Sequence, residues 1–204
     1  MCIRHLGKNE LTEKVNRLLE ELNLLKIKNL KVGNVLNKFI SGGQRKRLNI
    51  GLELIREPWI LYADEPTSGL SITDADEIIN LLYAESLKGK IIFANIHQPS
   101  SEHFKKFDKI IVLDEEGYPV YFGSPVDSIK YFNEKADKFL TNTDWCNQCG
   151  NINHETIFKI INEKKINDKG IAQNERKIDV KQWHQHYLNE ITELKPTQIL
   201  KEIP

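Results

Sequence analysis

The chain has 204 residues, 40% hydrophobic and 28% charged, enough to bury the core of one sizeable domain, or one domain and a tail. Lys plus Arg equals Asp plus Glu, 29 of each, so no global field argues for nucleic acid. No apolar run approaches the roughly 18 residues that span a bilayer, and MCIRHLGKNE lacks the apolar core of a signal peptide. Three cysteines make no disulfide framework. The expectation is a cytosolic, reduced, soluble protein.

Leu11, Val15, Leu18, Leu19, Leu22 and Leu25 recur at helical spacing, with Glu13, Lys14, Arg17, Glu20 and Glu21 between them. This predicts an amphipathic packing helix over residues 9–25. Gly33 and Asn34 then break any long element. Gly7-Lys8 does not complete a phosphate-binding P-loop, because Cys2 stands where the first glycine is needed, and no other stretch fits the pattern.

Ser41-Gly42-Gly43-Gln44 has the spacing of a capping box, which predicts a helix start. Two glycines allow close backbone approach, and first-turn N–H groups with the helix dipole favour an anion. Arg45, Lys46 and Arg47 add positive charge. The same residues also fit a capped surface helix with a solvated basic turn. Leu48, Leu52 and Ile55 continue one face until Pro58 restricts Glu57.

Trp59 to Ala63 is a continuous apolar run, predicting a strand buried on both faces. Asp64 and Glu65 fall at its end, where open α/β sheets bind ligands. Adjacent carboxylates there project differently, so one can hold a hydrated Mg²⁺ while the other faces a water. A helix is predicted over 72–87, capped by Ser71 and Asp74 and closed by Gly89. Ile91 to Ile96 reads as a second buried strand ending at His97, a position that suits either a phosphate contact or a structural histidine. Strands are predicted over 108–113 and 118–122, then a helix from Ser124-Pro125 to about Phe132.

After Asn133 the composition turns polar. A short helix is predicted over 156–162, a loop over 163–179, and an amphipathic helix carrying Val180, Trp183, Tyr187, Ile191 and Leu194. Cys146 and Cys149 fit either half of a zinc site, completed by His154, His184 or His186, or two reduced cysteines in a small cap.

With those residues in view, the chain resembles the ATP-binding subunit of an ABC transporter over about residues 10–132. ISGGQRKR at 40–47 is similar to the signature motif and WILYADEP at 59–66 to the Walker B strand. PTSGL at 66–70 resembles the D-loop start, and IHQPS at 96–100 the switch-histidine loop. GGQRKRL, DEPTSGL, IHQPSSEHFKKFDKIIVL and VYFGSP are most similar to the pigment- and sterol-exporter (G) subfamily.

The resemblance implies an α/β fold, a partial P-loop NTPase of ABC type with a parallel sheet core and flanking helices, plus a small, mainly helical C-terminal extension. The implied division is a partial nucleotide-binding domain over 1–132 and an extension over 133–204. It implies that Ser41, Gly42, Gly43 and Gln44 contact the γ-phosphate of ATP held by a second cassette in a head-to-tail dimer. Asp64 would orient Mg²⁺, Glu65 would act as general base on the attacking water, and His97 would sense the γ-phosphate. The implied partners are that second cassette and a transmembrane domain, with no nucleic acid, at the cytoplasmic face of a membrane, powering export. Two departures stand out: Ser71 replaces the aspartate usual after SGL, and the Walker A loop expected before the signature is missing. The alternative is a non-catalytic cassette that donates its signature motif to an intact partner. A soluble repair or translation ATPase is disfavoured, since neither long coiled-coil insertions nor tandem cassettes are present.

Overall fold

In the computed structural model the first helix, α1 (Lys8–Glu21), starts where Glu10 reaches back to accept from the Gly7 N–H at 3.0 Å. Residues 7–34, 39–97, 99–138, 153–167 and 170–193 are described. They fall into two compact units, residues 1–98 and residues 99–204.

The first unit continues with a 3₁₀ turn at Leu25–Ile27 and α2 (Gly42–Leu54). β1 (Ile60–Asp64), α3 (Ile72–Leu87) and β2 (Ile91–Asn95) complete it. Leu22 and Leu24, just past α1, are buried with Leu81 of α3. A Cβ at Gly51 would lie 2.4 Å from Leu22 Cδ1, so α2 approaches this leucine as only glycine permits. The crossover through α3 lets β2 return parallel to β1, with Ile60 opposite Ile91 and Asp64 opposite Asn95. Leu54, Leu61, Ile78 and Leu82 form the core beneath them, with Ala63, Ile92 and Ala94 packed against it.

β1 is covered on one face only, not on both as its apolar run predicts. Leu61 is buried, but Trp59 is 83% and Tyr62 74% exposed, and Ile60, Ile91 and Phe93 are exposed as well. The Tyr62 and Phe93 rings stack at 5.1 Å on this bare face. An unbroken apolar run calls for cover on both sides, and the packed core lies on one.

Glu85 ties the end of α3 to the start of β2. Its buried carboxylate meets Lys88 and Lys90 at 2.7 Å each. Burial pushes this carboxyl up, but hydrogen bonds from Lys88 and Lys90 together hold it below the usual 4.5. A depressed carboxylate contributes stability that is complete above the ordinary value and is lost as pH falls through the folded one. Glu85→Gln is therefore expected to cost about 1–2 kcal/mol at neutral pH, the loss of charge-assisted hydrogen bonds from lysines that can still reach water. It should also weaken the fall in melting temperature below pH 4.5, which thermal melts across acid pH would check.

The second unit contains α4 (Ser101–Lys105), β3 (Ile110–Leu113), β4 (Pro119–Gly123) and α5 (Pro125–Lys135). α6 (Glu155–Ile161), β5 (Lys164–Ile166), β6 (Ala172–Arg176) and α7 (Val180–Glu193) follow. Ser124 caps α5 with Pro125 in its first turn, as expected. Val120, Ile129, Phe132, Ile157, Ile160, Ile161 and Trp183 share one core. Trp183 is fully buried, edge-on to Phe132 at 5.3 Å.

The loop expected over 163–179 instead contains the antiparallel pair β5–β6. Its strands bury little side chain, so no apolar alternation announced them. Polar contacts hold it: Lys165 pairs with Glu175 at 3.0 Å, and Arg176 Nη1 donates to both Asp114 oxygens at 2.8 Å. Cys146 and Cys149 lie outside the described residues. Of their candidate zinc partners, His184 has Nδ1 2.8 Å from the Pro119 carbonyl, and burial lowers the pKa of His154. Among the described residues no helix is long and apolar enough to cross a membrane.

Candidate functional site

The start of α2 is a reciprocal capping box. Ser41 Oγ accepts from the Gln44 N–H at 3.1 Å, and Gln44 Oε1 accepts from the Ser41 N–H at 2.9 Å. This fixes the entry angle of the chain and leaves the first-turn N–H groups of Gly42 and Gly43 at the open, positive end of a 13-residue helix. Such an end favours an anion. The basic turn contributes less than its sequence suggests. Arg45 Nη2 donates to the Val32 carbonyl at 3.0 Å. Arg47 is buried, where it pairs with Asp74 at 3.4 Å and with Glu77. Lys46 is partly exposed.

The ends of β1 and β2 carry the acids. Asp64 is exposed and opposite Asn95, whose Nδ2 donates to Asp64 Oδ1 at 3.0 Å. That bond orients the carboxylate and leaves Oδ2 without a partner among the described residues. Mg²⁺ in nucleotide sites uses one or two carboxylates plus phosphate oxygens and waters, so a single oriented oxygen at a strand end fits it. Glu65 follows with φ +42°, a left-handed backbone that costs a non-glycine residue roughly 1–2 kcal/mol. Its N–H donates to the Asn95 carbonyl at 2.9 Å, which holds the twisted backbone and separates the directions of the two acids. Strain of this kind gathers where a side chain is aimed for function. His97, two residues past Asn95, is exposed in the same unit. Gln98 lies outside the described residues.

The two halves of residues 40–70 meet at Leu70. A Cβ on Gly42 would sit 3.5 Å from Leu70 Cδ2, ordinary packing distance. Ser71, which replaces the expected aspartate, caps α3 by accepting from the Asp74 N–H at 3.1 Å. Sequence reasoning passed over Asn95 as part of an apolar strand. Its polar side chain at the last paired position, beside an acid on the neighbouring strand, is the signal that could have found it.

A parallel strand pair ends in two acids, with a glycine-led helix beside it, and this partial α/β fold has likenesses among solved ATP-binding cassettes. The solved ADP conformation of MJ1267, an ATP-binding cassette of an ABC transporter, aligns with a TM-score of 0.51 and 27% identity. It covers 58% of this chain and 44% of that one. The family model for ABC transporters matches residues 3–68. ABC transporter G family member 14 of Arabidopsis thaliana is 39% identical over 128 residues, 63% of this chain and 20% of that protein. The broad substrate specificity ATP-binding cassette transporter ABCG2 of Mus musculus is 39% identical over 142 residues, 65% and 22% respectively. The chain thus spans about a fifth of these relatives. Over those matched residues the chain is similar to the ATP-binding part of ABC transporters, G family members among them.

Proposed function

We propose that this chain is the signature- and Walker-B-bearing part of an ATPase that drives export across a membrane. One observation carries the reading: an oriented Asp64 and a strained Glu65 at the end of a parallel strand, with the open N-terminus of α2 alongside at Leu70. The N–H groups of Gly42 and Gly43, with Ser41 and Gln44, contact the γ-phosphate of ATP held by a second cassette. Asp64 would hold Mg²⁺, which when bound would supply neutralisation of charge on the phosphates. Glu65 accepts a proton from the attacking water, and His97 contacts the γ-phosphate. Phosphoryl transfer of this sort depends on positioning and charge more than on covalent chemistry, which suits groups fixed at strand and helix ends.

The bare face of β1–β2 supports the need for a further piece of cassette, since a parallel sheet is normally covered on both sides. The transmembrane domain lies on a separate or missing segment, the chain sits at the cytoplasmic face, and residues 133–204 form an extension to the nucleotide-binding domain of residues 1–132. The intact capping box with its two open N–H groups favours a second reading, a non-catalytic cassette donating SGGQ to a complete one.

The test is Mg²⁺-dependent ATP hydrolysis by the pure chain, alone and mixed with the P-loop-bearing segment of a G-family relative. Little turnover alone and clear turnover with the segment is the expected result. Turnover by the chain alone sinks the claim that it needs completion. No turnover in either case, with ATP-dependent binding to an intact cassette, selects the donor reading.

A further inference from the structure

A contact at the apex of the site is unused by the roles above. Gly43 is buried in the first turn of α2, and a Cβ there would lie 2.0 Å from Asp74 Oδ1 and 2.2 Å from its Cγ. No side chain can occupy that space while Asp74 does. The same carboxylate accepts from Ser71 Oγ at 3.1 Å, and Asp74 in turn donates its N–H to Ser71 Oγ. Arg47, one turn along α2, reaches Asp74 Oδ1 at 3.4 Å with a side chain only 7% exposed, and Glu77 of α3 is its other partner. One carboxylate therefore touches the second glycine of SGGQ, the residue capping α3 directly after PTSGL, and a buried guanidinium.

We propose that Asp74 is a positioning residue that fastens the SGGQ turn to the PTSGL turn, so that the helix start facing one nucleotide and the loop behind Asp64 and Glu65 move as one body. The proposal rests on the reading of SGGQ as a phosphate-contacting turn and adds what holds that turn in place. Three physical points support it. A buried Arg47 that loses one of two counter-charges is left short of compensation. An acid at the first turn of α2 is favoured by the helix dipole. Removing a Cβ is the only way to bring Asp74 this close, so Gly43 is glycine because of Asp74, whatever a ligand also demands. Allosteric coupling needs such a physical link between two sites, and Ser71 and Asp74 supply it where the usual aspartate at position 71 is missing.

The experiment is a cycle in the full chain: Gly43→Ala, Asp74→Ala and the two together, with Gly42→Ala as the control whose added methyl meets Leu70 at ordinary distance. Thermal melts and amide hydrogen exchange are read without nucleotide, so the outcome is independent of the ATPase assay. Gly43→Ala alone should lower the melting temperature clearly, and the double variant should recover much of that loss. Isosteric Asp74→Asn, which keeps the fit against Gly43, should speed exchange about tenfold, the equivalent of one charge-assisted hydrogen bond. The rise should appear at residues 42–47 and 67–71 together, with amides of Leu54, Ile78 and Leu82 unchanged. A contact that merely added stability would move all those amides equally. Additive single effects, a uniform rise, or a rise confined to one of the two turns overturns the proposal and leaves the ATPase reading standing. Should Gly43→Ala fail to fold, Asp74→Asn alone still decides.

Discussion

Replacing Glu65 by Gln is expected to lower Mg²⁺-ATP turnover of the completed cassette by about 10²–10⁴-fold, the range that a positioned general base contributes. ATP-dependent association with a second cassette should persist, because Asp64, the capping box and His97 are untouched. The substitution is nearly isosteric, and the residue is exposed, so stability should change little. The strained backbone at φ +42° is kept in place by the bond from its N–H to Asn95, which Gln retains. Steady-state hydrolysis and size-exclusion chromatography with ATP check both halves of this expectation. A variant keeping more than about a tenth of the turnover would remove Glu65 from the role of base. A variant that stops associating would show the acid to be a binding group.

The largest stability effect is expected at Trp183. Its side chain is fully buried in the core of the second unit, beside Phe132 and 5.9 Å from the His186 ring. Trp183→Ala should cost about 3–5 kcal/mol through lost apolar contact and the cavity left behind. Its Nε1 has no hydrogen-bond partner among the described residues, so truncation strands no polar group and the cost is one of packing. Trp183→Phe should cost roughly 1–2 kcal/mol, since a smaller ring fills much of the same space. Denaturant melts followed by near-ultraviolet circular dichroism would rank the two. Equal, small losses would mean that α7 contributes little to this core.

Much of the first unit was legible because its elements obey local rules. Ser41 with Gln44, and Ser71 with Asp74, announced two helix starts that the structure reproduces, and the predicted span 72–87 coincides with α3. The apolar runs 59–63 and 91–96 placed the two strands observed as β1 and β2. What the runs could not tell was which side is covered, because cover depends on residues far away in sequence. The same limit hid the role of Arg47. Three basic residues in a row read as a solvated turn, yet helical periodicity turns one of them inward, where Asp74 and Glu77 await it. In the second unit the strands β5 and β6 gave no signal because almost every side chain on them is exposed, and the bond from Arg176 to Asp114 spans 62 positions. Trp183 was placed on an amphipathic helix, but nothing local said that it would meet Phe132.

The stacked Tyr62 and Phe93 rings also bear on the life of this chain in a cell. An exposed aromatic face on a pair of short strands is adhesive, both to like surfaces and to factors that survey proteins for unburied core. Covering that face removes the hazard, and leaving it open invites aggregation or clearance. Self-association of the pure chain that rises with concentration, and is reduced by Tyr62→Lys, is the expected consequence of that exposed ring pair.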